Sequence, residues 1–389
     1  MVLNTKYPKA HSLTGRITPP RMLAAFKAVR ANRGAAGVDK VSVQLYEKNL
    51  TENLASLQRD LKDGSFEPHP LRRHYLDKGD GTFRPLGIPA VRDRIAQEVV
   101  RHLLEPLFEP LFHEASYGFR PKRSGHHAVE RVLQLHQEGF DTVLDADIKG
   151  FFDNLPQEQI MTAVRAKIAD GNILNLLEKF LRAGVMENGV FKPTTVGTPQ
   201  GGVVSPLLAN IVLNHLDWQL DKLGYRFVRY ADDFVVLCRS QTDAEEALIK
   251  VQSVLKELGL QLSSEKTRIT TYSKGYSFLG FWISRRSVRM RPKSLRKFED
   301  KVRTLTPRHH NFGPGVIDPL NRVLRGTAQY FSTEWSHPRW QFRRLDSWVR
   351  RRLRAMKTKR FSYWDNRRYS VQWFEQLGLL SLERFCRIG

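Results

Sequence analysis

The stretch Arg226-Phe-Val-Arg-Tyr-Ala-Asp-Asp-Phe-Val-Val-Leu-Cys238 sets two adjacent carboxylates, Asp232 and Asp233, between runs rich in Val, Phe and Tyr. The pattern predicts two strands joined by a tight turn, with the acids at its tip. Neighbouring carboxylates repel one another and take up protons unless a cation neutralises them. A doubled Asp is also ordinary turn chemistry, so the motif gains weight from a second acidic stretch, Thr142-Val-Leu-Asp-Ala-Asp-Ile-Lys-Gly-Phe-Phe-Asp153. There Val143 and Leu144 lead into Asp145 and Asp147, with Phe151 and Phe152 close behind. Taken alone, this second segment is a strand followed by a polar turn. If Asp147 and Asp232 converge, their oxygens would hold two Mg²⁺ ions about 3.5–4 Å apart, the arrangement used for in-line phosphoryl or nucleotidyl transfer.

The segments around these strands must place them. Periodicity predicts helices over residues 21–30, 43–61, 91–102, 157–168 and 173–181. A hairpin is expected over residues 71–89, turning at Lys78-Gly79-Asp80-Gly81, and another over 185–192 with Asn188-Gly189 at its tip. Ser116-Tyr-Gly-Phe-Arg-Pro-Lys-Arg-Ser-Gly125 interleaves aromatic and basic residues, a composition that suits a single nucleic-acid strand as well as a plain surface loop. In Gly197-Thr-Pro-Gln-Gly-Gly-Val-Val-Ser205-Pro206 the glycines permit close approach of backbone to a ligand, and Gln200 offers an amide. Ser205 and Pro206 read as the N-cap and first residue of a helix reaching about residue 223, and Thr242 with Glu245 as a capping box. Strands alternating with helices, acids at strand ends, give an α/β palm-like layout. The final region is helical: over residues 341–360, Phe342, Leu345, Val349, Leu353 and Met356 form a core stripe, with Arg350, Arg351, Arg352 and Arg354 left to bind phosphate.

Composition narrows the partner. The chain has 389 residues, 41% hydrophobic, enough for two or three domains. Its formal net charge of +23 points to a polyanion, most simply nucleic acid. The excess is uneven: residues 281–389 hold 26 Lys/Arg against 8 Asp/Glu, residues 1–280 hold 37 against 32. Two cysteines, Cys238 and Cys386, exclude a disulfide framework and cysteine-based zinc sites. No apolar run has the length of a signal peptide core or a membrane span, so a cytoplasmic protein with no membrane partner is expected.

Taken in order, Gly34-Ala-Ala-Gly-Val-Asp39, Arg84-Pro-Leu-Gly-Ile-Pro89, Ser116-Tyr-Gly-Phe-Arg-Pro121, Asp145-Ala-Asp-Ile-Lys-Gly-Phe-Phe-Asp153, Thr198-Pro-Gln-Gly-Gly202, Tyr230-Ala-Asp-Asp233, Glu265-Lys266 and Phe278-Leu-Gly-Phe281 resemble the bacterial group II intron reverse transcriptase/maturases over nearly the whole chain. The resemblance implies an α/β right-hand polymerase fold, fingers and palm with antiparallel sheet, followed by an all-α basic thumb/maturase domain. It implies boundaries at 1–70 for an N-terminal extension and the start of the fingers, 71–285 for fingers and palm, 286–360 for the thumb, and 361–389 for a short C-terminal segment. It implies metal ligation by Asp147, Asp232, Asp233 and the Ile148 carbonyl, with two Mg²⁺ ions, or Mn²⁺ in their place. Lys78 and Arg84 would hold a triphosphate, Gln200 would line the nucleotide pocket, Phe152 would exclude a ribose 2′-hydroxyl, and Lys266 would assist pyrophosphate departure. Phe278, Leu279 and Gly280 would support the primer end. The implied partners are an RNA template, a DNA or RNA primer, dNTPs and a structured group II intron RNA whose splicing and mobility the protein assists. Many such proteins add a C-terminal HNH endonuclease with paired cysteines; this sequence shows none, and target cleavage is not expected of it. The rival readings are a reverse transcriptase serving host defence or CRISPR spacer acquisition without an intron, and a splicing factor with little polymerase activity.

Overall fold

Phe234, Val235, Val236 and Leu237 are all at most 1% exposed. Successive strand residues point to opposite faces, so a run buried on both must lie in a sheet covered on both. The computed structural model describes residues 8–77, 81–198 and 201–386. It divides into two compact units, Met1–Ile269 and Thr270–Gly389.

The first strands of the chain are β1 (Leu71–Asp77), β2 (Phe83–Ile88), β3 (Thr142–Asp147), β4 (Val185–Glu187), β5 (Val190–Lys192), β6 (Arg226–Tyr230), β7 (Asp233–Cys238) and β8 (Arg268–Thr271), the last beginning at the end of the first unit. One four-stranded sheet has the order β2-β1-β4-β5 and contains the two arms of the expected hairpin, with Leu76 opposite Arg84; residues 78–80 of its expected turn lie outside the described residues. The other has the order β6-β7-β3-β8, with β3 antiparallel to β7 and β7 antiparallel to β6. The helices Gly125–Gln137, Ser205–Lys222 and Gln241–Glu257 pack on this second sheet and join its side chains in one apolar core. Each fully buried Leu, Val or Phe contributes roughly 1.5–3 kcal/mol.

Three local expectations are corrected. Residues 43–61 form two helices, Val43–Glu47 and Leu50–Asp63, because the Asn53 side-chain amide donates to the Tyr46 carbonyl (2.9 Å) that a continuous helix would have used at residue 50. Ser205 is not an N-cap: Val204 holds that position, and the Ser205 hydroxyl accepts from Thr198 Oγ1 at 2.7 Å. The capping box is Ser240 with Asp243, two residues earlier than Thr242 and Glu245. There the Ser240 hydroxyl accepts from the Asp243 N–H, and the Asp243 carboxylate accepts from the Ser240 N–H.

The second unit begins with a three-stranded antiparallel sheet, β9 (Tyr276–Phe278), β10 (Phe281–Ser284) and β11 (Ser287–Met290), in the order β11-β10-β9. The helices Pro292–Leu305, Pro314–Phe331 and Arg339–Thr358 follow. The expected stripe is buried: Phe342, Leu345, Val349, Leu353 and Met356 are each at most 4% exposed. Among the described residues no helix is long and apolar enough to cross a membrane.

Candidate active site

The antiparallel register brings the two acidic stretches together. Asp147 ends β3 directly opposite Asp233, which begins β7. Tyr230 and Asp233 also pair, so Ala231 and Asp232 form a two-residue turn. Ala231 has φ 56°, a left-handed conformation that costs a residue with a Cβ about 1–2 kcal/mol. That cost is offset locally. Arg229 donates from Nη1 to the Ala231 carbonyl at 2.9 Å, and the same nitrogen reaches Asn210 Oδ1 at 2.9 Å.

Arg229 itself is fully buried and held by Asp217, its Nη2 2.5 Å from Oδ2 and its Nε 2.7 Å from Oδ1. A buried pair of this kind persists only when every charge and lone pair is satisfied. The Ser116–Pro121 segment completes the brace, since Tyr117 N donates to the Arg229 carbonyl and Arg229 N to the Ala115 carbonyl. A Cβ on Gly118 would lie 2.4 Å from Ala231 N, so only glycine allows this packing. Arg120 of the same segment is buried on Glu109 and on the His113 and Ser116 carbonyls. The segment therefore serves as scaffold at Arg120 and Gly118, while Phe119 stays exposed. Sequence reading missed Arg229, Asp217 and Asn210; an Arg inside an apolar strand, and polar residues on the buried side of the helix Ser205–Lys222, were the available signals.

The electrostatics ask for a cation. Burial pushes the Asp232 carboxyl above its ordinary value and the Asp147 charge adds to this, while Arg84 and Arg229 oppose it. Lys266 lies on Asp147, Nζ to Oδ2 at 3.1 Å, and Arg268 on Asp145 at 3.1 Å. The turn bearing Lys266 is pinned to the strand end, with Ser263 N donating to the Asp147 carbonyl at 2.7 Å and Asp147 N to Thr267 Oγ1 at 3.4 Å. Among the described residues no group of three or more His, Cys, Asp or Glu side chains is arranged to hold a metal. The donor set is thus a few carboxylate and carbonyl oxygens, which fits a hard divalent cation that takes its remaining ligands from water and substrate phosphates.

Beside the acids, Phe152 sits on the short helix Phe151–Asn154, half-buried, its ring 5.1 Å from that of Phe151. The glycine-rich loop supports this helix: Thr198 N donates to the Phe152 carbonyl at 2.8 Å and Gly197 N to the Leu155 carbonyl at 3.1 Å. A Cβ on Gly197 would meet the Phe152 carbonyl oxygen at 2.6 Å. Phe152, Arg73, Lys192 and Thr198 line a groove of about 280 Å³. Gly201 makes its close approach to protein, since a Cβ there would lie 2.2 Å from the Gly87 carbonyl oxygen of β2. Arg84 of β2 is exposed and within electrostatic reach of Asp232. Ile148 is buried and bridges to Leu262, leaving only its backbone for any ligand role. Lys78 and Gln200 lie outside the described residues.

In the second unit Phe278 is 3% exposed and Phe281 fully buried, the latter with Tyr330, Phe331 and Trp335 rings within 5.4 Å. The Phe278 side chain is core, and only the Leu279-Gly280 turn is left to meet a primer. Both turn residues have positive φ, and their carbonyls accept from Tyr330 Oη (2.8 Å) and Ser294 Oγ (2.9 Å). The four arginines also separate. Arg352 donates to Thr306 Oγ1 and its carbonyl, and Arg354 to the Tyr369 carbonyl, so both hold the fold. Arg351 is exposed and Arg350 half-buried.

Residues 76–283 match the family described as Reverse transcriptase (RNA-dependent DNA polymerase), and residues 295–373 match the group II intron, maturase-specific domain. The chain is 36% identical to Protein YkfC of Escherichia coli (strain K12) over 70% of this chain and 83% of that protein. It is 31% identical to the Group II intron-encoded protein LtrA of Lactococcus lactis subsp. cremoris over 79% of this chain and 61% of LtrA. Among solved structures, the partial Cas6-RT-Cas1–Cas2 complex matches at 25% identity and a TM-score of 0.40, over 63% of this chain and 41% of that one. The chain belongs to the reverse transcriptase (RNA-dependent DNA polymerase) family, as a polymerase that carries a group II intron maturase-specific domain behind it.

Proposed function

We propose that the protein extends a DNA or RNA primer with dNTPs on an RNA template, and that its second unit binds a structured group II intron RNA and assists its splicing. The observation that carries the polymerase reading is the register that sets Asp147 against Asp233, with Asp232 next to Asp233 on a braced turn and its carboxyl pushed up by burial. Asp147, Asp232, Asp233 and the Ile148 carbonyl would hold divalent cations, Mg²⁺ or Mn²⁺. When bound, these supply Lewis-acid stabilisation of charge on the attacking and leaving oxygens.

The chain's own residues do the rest. Arg84, and Lys78 from the same hairpin, neutralise a triphosphate, while Gln200 lines the nucleotide pocket. Phe152, fixed by Thr198 and Phe151, presents its ring to the sugar and favours dNTPs over rNTPs. Lys266 lies at Asp147 and would donate a proton to the pyrophosphate as its P–O bond to the α-phosphorus breaks, while the primer 3′-oxygen bonds to that phosphorus and releases its proton to water. The Leu279-Gly280 turn supports the primer end. Fingers and palm over residues 71–285, a thumb over 286–360 and a short segment over 361–389 are the domains proposed for these roles. The maturase role rests on the match over residues 295–373 and on the basic excess of this region.

The test is primer extension on an RNA template with dNTPs and Mg²⁺, beside Asp232→Asn. The variant is expected to lose more than about 10³-fold in rate, beyond the loss of one transition-state hydrogen-bond donor. Equal extension by both proteins would sink the assignment of Asp232. Absence of extension by either, with RNA binding retained, would favour a splicing factor without polymerase activity.

A further inference from the structure

The helix Arg339–Thr358 carries Trp340, Arg344, Trp348 and Arg351 at intervals of four, four and three, one face of a helix. This face is opposite in character to the buried Phe342–Met356 stripe. Trp340 is 64% exposed, Arg344 and Arg351 are exposed, and Trp348 is half-buried. Just past the helix end, Phe361 is 65% and Tyr363 92% exposed. Two grooves run along these residues. One, of about 720 Å³, includes Trp340, Arg344, Trp348 and Arg351 in its wall; the other, of about 400 Å³, includes Trp348, Arg351, Phe361 and Tyr363. Trp348 and Arg351 belong to both, so the grooves form one track.

The charges along the track are available. The one acid of the larger groove, Glu299, is engaged by Arg303 at 2.9 Å. Arg351 is exposed on the walls of both grooves, and Arg344 rests its guanidinium 5.7 Å from the Trp340 ring centre. Large aromatic rings left in water next to exposed guanidinium groups give a surface that is apolar on its flat faces and cationic between them. A folded duplex offers phosphates to such a surface but hides its base faces. An unpaired strand offers both, and each base has a face on which a ring can stack.

We propose that this track is a binding site for unpaired nucleotides, with Trp340, Phe361 and Tyr363 stacking on bases, Arg344 and Arg351 holding the intervening phosphates, and Trp348, whose ring already meets the Arg303 and Arg352 guanidinium groups at 5.5 and 5.9 Å, forming the floor between them. From Trp340 to Arg351 the helix rises about 16 Å, room for a short run of nucleotides. The proposal rests on the nucleic-acid reading of the second unit and adds to it that single-stranded segments are gripped by stacking, with residues other than Arg352 and Arg354.

The experiment uses the full chain and fluorescein-labelled probes of equal length: single-stranded RNA, single-stranded DNA of the same sequence, the RNA duplex, and an abasic DNA strand that keeps the phosphates. Trp340→Ala and Tyr363→Ala are each expected to weaken binding of the base-bearing strands about 5- to 100-fold and to leave the abasic strand unchanged. Trp340→Phe, which keeps a ring, restores most of the loss and guards against a folding defect. A larger ring dependence for RNA or for DNA identifies the strand the track serves. Losses equal on the base-bearing and abasic strands, or none on either, overturn the proposal. So does a duplex bound as tightly and with the same ring dependence. If the ring variants are inert but structured intron RNA is still bound, only the stacking proposal falls; if the wild type binds neither, the nucleic-acid reading falls with it.

Discussion

The two units spend their positive charge in opposite directions. In the first, cations face carboxylates: Arg229 on Asp217, Arg120 on Glu109, Lys266 on Asp147 and Arg268 on Asp145. In the second, the buried Asp346 is satisfied without any cation, by the Ser381 hydroxyl and the Leu382 and Glu383 N–H groups. Ion pairs in this unit lie at the surface, Arg303 on Glu299 and Arg343 on Glu383, and the exposed Arg344 lies over the Trp340 ring. A unit that performs chemistry needs its turn held to fractions of an ångström, and buried ion pairs supply that rigidity. A unit that grips a polyanion needs its charge in reach of solvent.

The largest effect should come from breaking the inward arrangement. Arg229→Met leaves Asp217 charged and fully buried, and is expected to cost about 3–5 kcal/mol in urea unfolding. The double change Arg229→Met with Asp217→Leu should recover much of that stability but not primer extension, because the Ala231 carbonyl still loses its donor. Next, Phe152→Ala should lower the preference for dNTPs over rNTPs by about 10- to 200-fold in competitive incorporation; an unchanged ratio would show that the ring does not meet the sugar.

A pH experiment sharpens the same contrast. The folded pKa of Asp232 lies above its ordinary 3.8, chiefly through burial. Its stabilising contribution is therefore full below that ordinary value and is lost as pH rises through the raised one, where charge must be carried in a buried place. A bound divalent cation opposes this loss, and its binding must displace the proton. Cation affinity measured by calorimetry should therefore fall with decreasing pH through the raised pKa, approaching tenfold per unit with one proton released. Asp232→Asn should flatten that dependence. The smallest effects separate neighbours on one helix. Arg352→Ala should cost about 1–3 kcal/mol in stability by freeing the Thr306 acceptors. Arg351→Ala should leave stability within about 0.5 kcal/mol and reduce the salt dependence of RNA binding by about one unit of slope. The same response from both residues would erase the distinction between an arginine that holds the fold and one that faces the nucleic acid.

The kind of fold and the candidate pairing of the acids were legible in the residues. Apolar strands ending in Asp147 and in Asp232-Asp233 can bury their hydrophobic faces only in a sheet, and antiparallel pairing then sets the acids opposite one another. The buried stripe Phe342–Met356 was equally legible, because helical period and burial are tied. The partners of polar groups were settled only by packing. Nothing in the order of residues says that Arg229 would turn inward to Asp217 and the Ala231 carbonyl, that the Ser116–Pro121 segment would brace a turn, or that Phe278 would be core. Nor does it say that Arg352 and Arg354 would be taken by carbonyls while Arg351 stays exposed. Hydrophobic burial follows from local periodicity; hydrogen bonds and ion pairs join residues far apart in the chain, so their choice is made only when the elements have packed.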